Sequence, residues 1–225
     1  MEKSIITKNT IKFLEDLQEN NNRDWFATHK TIFETHKEEA KNFFTAIKSN
    51  LEKHDTIERL KMFRIYRDVR FSKDKTPFKA HFAASFSRMG IALRGGYYVR
   101  IKPGATFIAT GFFGPNKEDL YRIRKEFELD ISELKEILQD SHFKALWGKM
   151  EGEEVKTAPK GFDKAHPNIE FIKKKQFIFT RKFTDKEVLS NNFIEEIDQS
   201  FKTVRPFFDL MSDVLTTNLN GESLL

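Results

Sequence analysis

Apolar side chains recur at helical spacing near the start of the chain and predict two helices. Residues 10–19 carry four apolar side chains on one helical face: Ile11, Phe13, Leu14 and Leu17. Residues 19–22 interrupt this pattern with three asparagines. Because an asparagine side chain can bond the free backbone N–H groups at a helix start, we predict a second helix that begins at Asn21 or Asn22 and runs to about Leu51.

Alternation of apolar and polar residues predicts strands in the middle of the chain. Three runs are separated by the turn signals Gly95-Gly96 and Pro103-Gly104, and a fourth run follows later: Ala80–Arg88, Tyr97–Lys102, Ala105–Phe113 and Phe177–Phe183. Short turns between the first three runs are typical of an antiparallel meander.

Further helical patterns follow the meander and close the chain. They extend from Asn116 to about Phe127, over Asp130–Asp140, over Phe143–Trp147, over residues 168–174 and over Asn191–Asn218. The last helix is expected to bend or break near Pro206, because proline removes a backbone donor. The fold class is therefore α+β, with one domain over residues 1–225. We expect an antiparallel sheet of about four or more strands packed by long N- and C-terminal helices.

Composition excludes several classes of protein and site. The 225 residues include 24 Phe, which supply ample apolar volume for a core, and no Cys, so disulfides, thiolate zinc sites and cysteine nucleophiles are excluded. No apolar run approaches the ~18 residues of a membrane span, and the first residues lack a signal-peptide segment. A soluble cytoplasmic protein that does not bind membranes is expected.

Positive charge is concentrated in two separate segments. The net charge is +5 overall, but residues 59–104 carry +10 and residues 156–182 carry +6, whereas every other segment is acidic. If the two basic segments meet in space, they form one positive surface that would attract an anion.

The stretch Met62–Lys79 mixes cations with apolar residues in an unusual way. It carries six cations against two acids: Arg64, Arg67, Arg70, Lys73, Lys75 and Lys79 against Asp68 and Asp74. If Met62–Val69 is a strand, Arg64 and Arg70 share a face; if it is a helix, the spacing of three brings Arg64, Arg67 and Arg70 together. Residues 72–77 have turn chemistry, and a turn flanked by lysines can hold a phosphate.

Several motifs resemble one known family. They are Phe13-Leu14, Asn22–Phe26, His29-Lys30, the long signature Arg67–Lys79, Gly96-Tyr97-Tyr98, Gly111, Pro159–Asp163 and His166-Pro167. In these residues, from 13 to about 180, the chain resembles the bacterial and fungal family called domain of unknown function 2461. It departs from the family's Gly-Gly-x-Trp motif, which reads Thr110–Phe113 here. The resemblance implies a shared fold and no particular activity.

The predicted site is a basic, aromatic-lined pocket for a small anionic ligand, phosphate or carboxylate. It assumes that the Arg67–Lys79 segment, the Tyr97–Lys102 strand and the loop at Lys160 converge, because Arg offers a planar fork of donors that matches such anions. The candidate residues are Arg64, Arg67, Asp68, Arg70, Lys73, Lys75, Lys79, Tyr98 and Lys160.

Two alternatives to this pocket stay open. The basic face could bind nucleic acid, although no nucleic-acid motif is present. The arginines could instead form an internal ion-pair network with acids. No catalytic residue, cofactor or metal is expected. His29 and His36 share a helical face without the further ligands that a metal needs, and the pair of Asp163 and His166 fits a local turn as well as acid–base chemistry.

Overall fold

The structure is a computed structural model that describes residues 5–225. Its helices are α1 (Lys8–Glu19), α2 (Arg23–Thr28), α3 (Lys30–Leu51), α4 (Lys117–Leu129), α5 (Ser132–Gln139), α6 (Ser141–Trp147), α7 (Ile169–Ile172), α8 (Asp185–Val188), α9 (Phe193–Thr203) and α10 (Arg205–Thr216). Its strands are β1 (Ile57–Met62), β2 (Phe82–Arg88), β3 (Gly96–Ile101), β4 (Thr106–Phe112) and β5 (Phe177–Phe183).

The five strands form one antiparallel sheet in the order β1-β2-β3-β4-β5. Each strand therefore pairs with its neighbour in sequence, as the short turns of the meander predict. The α+β fold class and the sheet of four or more strands are confirmed. The single domain over residues 1–225 stays a prediction from the sequence.

The chain divides into two compact units, each assembled from separate segments. In the described chain the first unit comprises residues 5–86, 98–108 and 182–199. Its core is rich in phenylalanine, since Phe43, Phe44 and Leu51 of α3 are fully buried and Phe43 stacks on Phe193 at 5.6 Å between ring centroids. Burying each such side chain contributes about 1.5–3 kcal/mol.

The second unit comprises residues 87–97, 109–181 and 200–225. Its core is also aromatic: the ring of Phe179 lies edge-on to Phe143 at 4.9 Å and to Phe207 at 5.0 Å. Phe127 of α4 meets Phe177 of β5 in the same edge-on manner at 5.7 Å. Such geometry is favourable because the positive ring edge faces the negative ring face.

The helix predicted from Asn21 or Asn22 to about Leu51 is two helices in the structure. Asn22 caps α2 by accepting a hydrogen bond from the N–H of Trp25, which agrees with the predicted helix start. The chain then leaves helical geometry at His29, with φ −105° and ψ 9°, before α3 begins. A break of one residue leaves the apolar spacing almost unchanged, so the pattern could not reveal it.

The end of the chain follows the prediction and the start of the sheet does not. The predicted helix over Asn191–Asn218 is interrupted between α9 and α10, and Pro206 occupies the first turn of α10, where its missing N–H costs little. Strand β1 was not predicted. Its residues Glu58, Arg59 and Lys61 are exposed and do not alternate regularly with apolar ones, which is common at a sheet edge.

Candidate functional site

Residues 63–81 form a loop, here called the basic loop, that connects β1 to β2. It is neither the strand nor the helix considered for Met62–Val69, because β1 ends at Met62 and beyond it only Tyr66 and Phe78 form a bridge. The loop is closed by backbone hydrogen bonds from Arg67 N to Pro77 O at 2.9 Å and from Lys79 N to Ile65 O at 2.7 Å.

The base of the basic loop is held by Asn21. Its side-chain oxygen accepts from the N–H of Phe78 at 3.1 Å, and its side-chain nitrogen donates to the Phe78 carbonyl at 3.0 Å. The Phe78 ring is buried and stacks on Phe26 at 4.0 Å. These contacts hold an irregular, charged segment in one place.

Arg67 and Arg70 each pair with an acid of the same loop. Arg67 donates to the Asp74 carboxylate and to the Thr76 hydroxyl, and the Arg67 hydrogen bond is the main reason why the pKa of Asp74 falls to about 2. Arg70 makes a two-point contact with Asp68 at 2.7 and 3.0 Å, and this hydrogen bonding lowers the pKa of Asp68. Both pairs lie close to solvent and stabilise the local loop conformation.

The other cations of the basic loop have different surroundings. Lys75 donates to the Val69 carbonyl at 3.0 Å, and Lys73 is exposed. Arg64 is exposed and lines a groove of about 370 Å³ together with Lys37 and Lys41 of α3. Lys75 lines a different, more open depression, together with Asn21, Val69 and Pro77.

Strand β3 carries polar side chains on the face opposite to the core. Tyr97, Val99 and Ile101 are buried, so the alternating residues Tyr98 and Arg100 point to the other face and are half-buried. The guanidinium of Arg100 lies over the Phe107 ring of β4 at 4.2 Å and donates from Nη2 to the Ala105 carbonyl at 3.1 Å. These two contacts hold the Arg100 side chain against the sheet.

Arg100 retains an unused donor in this position. Its Nε atom is buried and has no hydrogen-bond partner in the described chain. A buried N–H without an acceptor costs about 1–3 kcal/mol, so an acceptor that reached this atom would be stabilised there.

His81 lies at the end of the basic loop, where burial and the charges of three cations affect its pKa. Burial is the largest cause that lowers the pKa of His81 to about 4, and the positive charges of Arg100, Lys79 and Lys102 lower it further, in that order. The ring is therefore neutral at pH 7. His81 directly precedes β2, which pairs with β3, so the end of the basic loop lies beside strand β3.

Five half-buried side chains at the end of the basic loop and on or directly after β3, His81 among them, have unused donors. They are Lys79, His81, Tyr98, Arg100 and Lys102. Within residues 5–225 none of their side-chain donors contacts a carboxylate, and only Arg100 donates a side-chain hydrogen bond, to the Ala105 carbonyl. Burial also raises the pKa of Tyr98, so its hydroxyl remains a donor at pH 7. We call these five residues the donor cluster. Donors of this kind form their strongest hydrogen bonds with charged acceptors such as carboxylate or phosphate oxygens.

Some of the site residues predicted from the sequence belong to the donor cluster, and others lie elsewhere in the structure. Lys79 and Tyr98 belong to the donor cluster, whereas Arg67, Asp68 and Arg70 are engaged in pairs within the loop. Lys160 is exposed in the second unit. The assignment of these residues to a ligand site stays a prediction.

Sequence reasoning did not include His81, Arg100 or Lys102 among the site residues. Arg100 and Lys102 continue the alternation that begins at Tyr98, so that pattern could have pointed to them. His81 had no comparable signal in the sequence.

Residues 5–225 contain no group of three or more His, Asp or Glu side chains placed to hold a metal ion. None of the helices described in that range is both long and apolar enough to cross a membrane.

Comparison with known families gives one match. The family model described as conserved hypothetical protein, DUF2461, matches residues 9–210 of the 225. Curated proteins gave no match, and solved structures gave none.

Proposed function

The chain belongs to the DUF2461 family of conserved hypothetical proteins. From the geometry of the donor cluster we propose that it binds a small anion in the cytoplasm. The ligand carries a phosphate or carboxylate group and is bound by the donor cluster of the first unit. Arg100 provides the central contact, and Lys79, Lys102, Tyr98 and His81 surround it.

The observation that carries this proposal is the unpaired, buried Nε of Arg100, near two lysines, Lys79 and Lys102, that pair with no acid among residues 5–225. An arginine placed for structural reasons usually completes its hydrogen bonds with an acid or a carbonyl, as Arg67 does with Asp74. Arg100 donates from Nη2 to the Ala105 carbonyl and leaves Nε, on the same edge of its guanidinium, without a partner in the described chain. A carboxylate or phosphate oxygen is the acceptor that fits that edge best.

The neutral state of His81 adds to this argument. Three positive charges act on it in the absence of an anion, and each lowers its pKa. A bound phosphate would offset these charges and raise the pKa of His81. Binding is therefore expected to be linked to proton uptake near this ring.

The test is a titration with inorganic phosphate and, separately, with acetate, followed by NMR chemical shifts and isothermal calorimetry. We expect saturable binding of at least one anion, and a loss of about tenfold or more in Arg100→Gln, because a charge-assisted hydrogen bond contributes roughly 1.5–3 kcal/mol. The matched control is Arg70→Gln, which makes the same charge change at an arginine already paired with Asp68.

Two results would overturn this proposal. One is the absence of saturable binding of either anion. The other is full affinity in Arg100→Gln together with a loss in Arg70→Gln, which would return the site to the basic loop predicted from the sequence.

For Arg67 and Arg70 we propose a structural role, which their pairs with Asp74 and Asp68 support. Replacing Arg67 by Ala should then lower stability without changing phosphate affinity. Nucleic-acid binding is distinguished by salt: affinity for a single-stranded oligonucleotide falls steeply with ionic strength, because many counterions are released, whereas a small anion displaces few.

A further inference from the structure

Three aromatic side chains form a patch beside the donor cluster. The Tyr98 ring lies 6.0 Å from Phe63 and 5.6 Å from Phe107, measured between ring centroids. All three side chains are half-buried. We call Phe63, Tyr98 and Phe107 the aromatic patch.

The aromatic patch is separate from the aromatic cores. Among the aromatic and cationic side chains of residues 5–225, its rings pair only with one another and with two cations: Lys61 lies over Phe63 at 5.5 Å and Arg100 over Phe107 at 4.2 Å. Tyr97, one residue earlier on β3, is by contrast buried. Because the three rings of the patch are only half-buried, part of their surface remains exposed.

The Tyr98 ring is the one ring of the aromatic patch that has no cation over it among the described residues. The Arg100 guanidinium already covers Phe107, and the Tyr98 ring lies beside the same Phe107 ring on the same face of β3. The ring surface of the patch closest to Arg100 after Phe107 is therefore that of Tyr98, followed by Phe63. A flat ring placed there would stack on an aromatic side chain, while an acidic group attached to it would reach Arg100 and the Tyr98 hydroxyl.

We propose that the ligand of the donor cluster is an aromatic anion, in which a phosphate or carboxylate is carried by a planar ring system such as an aryl phosphate or a nucleotide. This inference rests on the proposed function, because the donor cluster binds the acidic group. The aromatic patch adds the selection of the ring. Neither an aliphatic phosphate nor an uncharged aromatic compound satisfies both parts.

The test compares three probes of one headgroup: inorganic phosphate, butyl phosphate and phenyl phosphate. Stacking of one ring on an aromatic side chain is expected to tighten binding of phenyl phosphate about tenfold or more relative to inorganic phosphate. Butyl phosphate has a chain of similar reach without a planar ring and should gain much less. Equal gains for butyl and phenyl phosphate would overturn the stacking argument.

Variants separate the ring from the headgroup. Phe63→Leu removes a ring that lies beside Tyr98 and is not itself a member of the donor cluster, so binding of phenyl phosphate should weaken while binding of inorganic phosphate is unchanged. Tyr98→Phe keeps the ring and removes the hydroxyl, so both probes should weaken alike. The matched control is Phe71→Leu, since Phe71 is 97% exposed in the same unit and outside the patch.

The two proposals fail in different ways. Saturable binding of inorganic phosphate without any preference for phenyl phosphate would refute the aromatic ligand and leave anion binding intact. Absence of binding for all three probes would refute both. A preference for phenyl phosphate that survives Phe63→Leu but is lost in Phe71→Leu would place the ring on the basic loop and overturn the role of the patch.

Discussion

His81 should make the stability of this protein depend on pH in a way that one substitution removes. Burial, together with the charges of Arg100, Lys79 and Lys102, lowers the pKa of His81 from 6.5 to about 4. The unfolded chain keeps the ordinary value. Between pH 6.5 and pH 4 the unfolded state therefore binds more protons than the folded state, so stability falls as the pH falls through this window.

The size of the effect follows from the two pKa values. At pH 5 the imidazole is almost fully protonated in the unfolded chain and mostly neutral in the folded one, which corresponds to a loss of about 2 kcal/mol relative to pH 7. Because the ring is only half-buried, solvent screens part of this interaction, and we expect roughly half, about 1 kcal/mol.

The assay is urea unfolding of the wild type and of His81→Gln at pH 7 and pH 5, in a buffer without phosphate or carboxylate. The wild type should lose about 1 kcal/mol more than the variant, since the other titrating groups are shared and cancel. Added phosphate should reduce this difference by raising the pKa of His81. Equal pH dependence of the two proteins, or a pKa near 6.5 for His81 by NMR, would refute the reasoning.

Two further predictions concern stability and are measured by urea unfolding. Gly111→Ala should destabilise the fold by about 3 kcal/mol or more, because Gly111 has φ 121° and an added Cβ would lie closer than 3.0 Å to the backbone oxygen of Phe177; Gly114→Ala, with nothing within 4 Å, is the matched control and should change stability by less than about 1 kcal/mol. Asn21→Leu should cost about 1–3 kcal/mol by leaving the backbone groups of Phe78 unpaired, and an unchanged midpoint would show that the basic loop does not need this contact.

Helices and central strands could be predicted because their burial leaves a periodic trace in the sequence. The alternation of Tyr97, Val99 and Ile101 with polar residues predicted β3 within one residue at each end. Strand β1 left no such trace, since an edge strand is exposed along much of its length and accepts polar residues on both faces. The break at His29 was hidden because the helices on either side continue one apolar stripe.

The sequence by itself determined the α+β class, most element boundaries and the concentration of cations in residues 59–104. It could not determine which cations are neutralised. Arg67 and Arg70 form ion pairs with acids that lie within seven residues along the chain. The charge of Arg100 acts on His81 only because β2 and β3 pair in the folded protein. Whether a charge is available to a ligand depends on its distance from other charges in three dimensions, because the interaction between two charges weakens as they move apart. Composition does not record these distances. The tertiary structure therefore moved the candidate site from the centre of the basic loop to its end, beside the sheet.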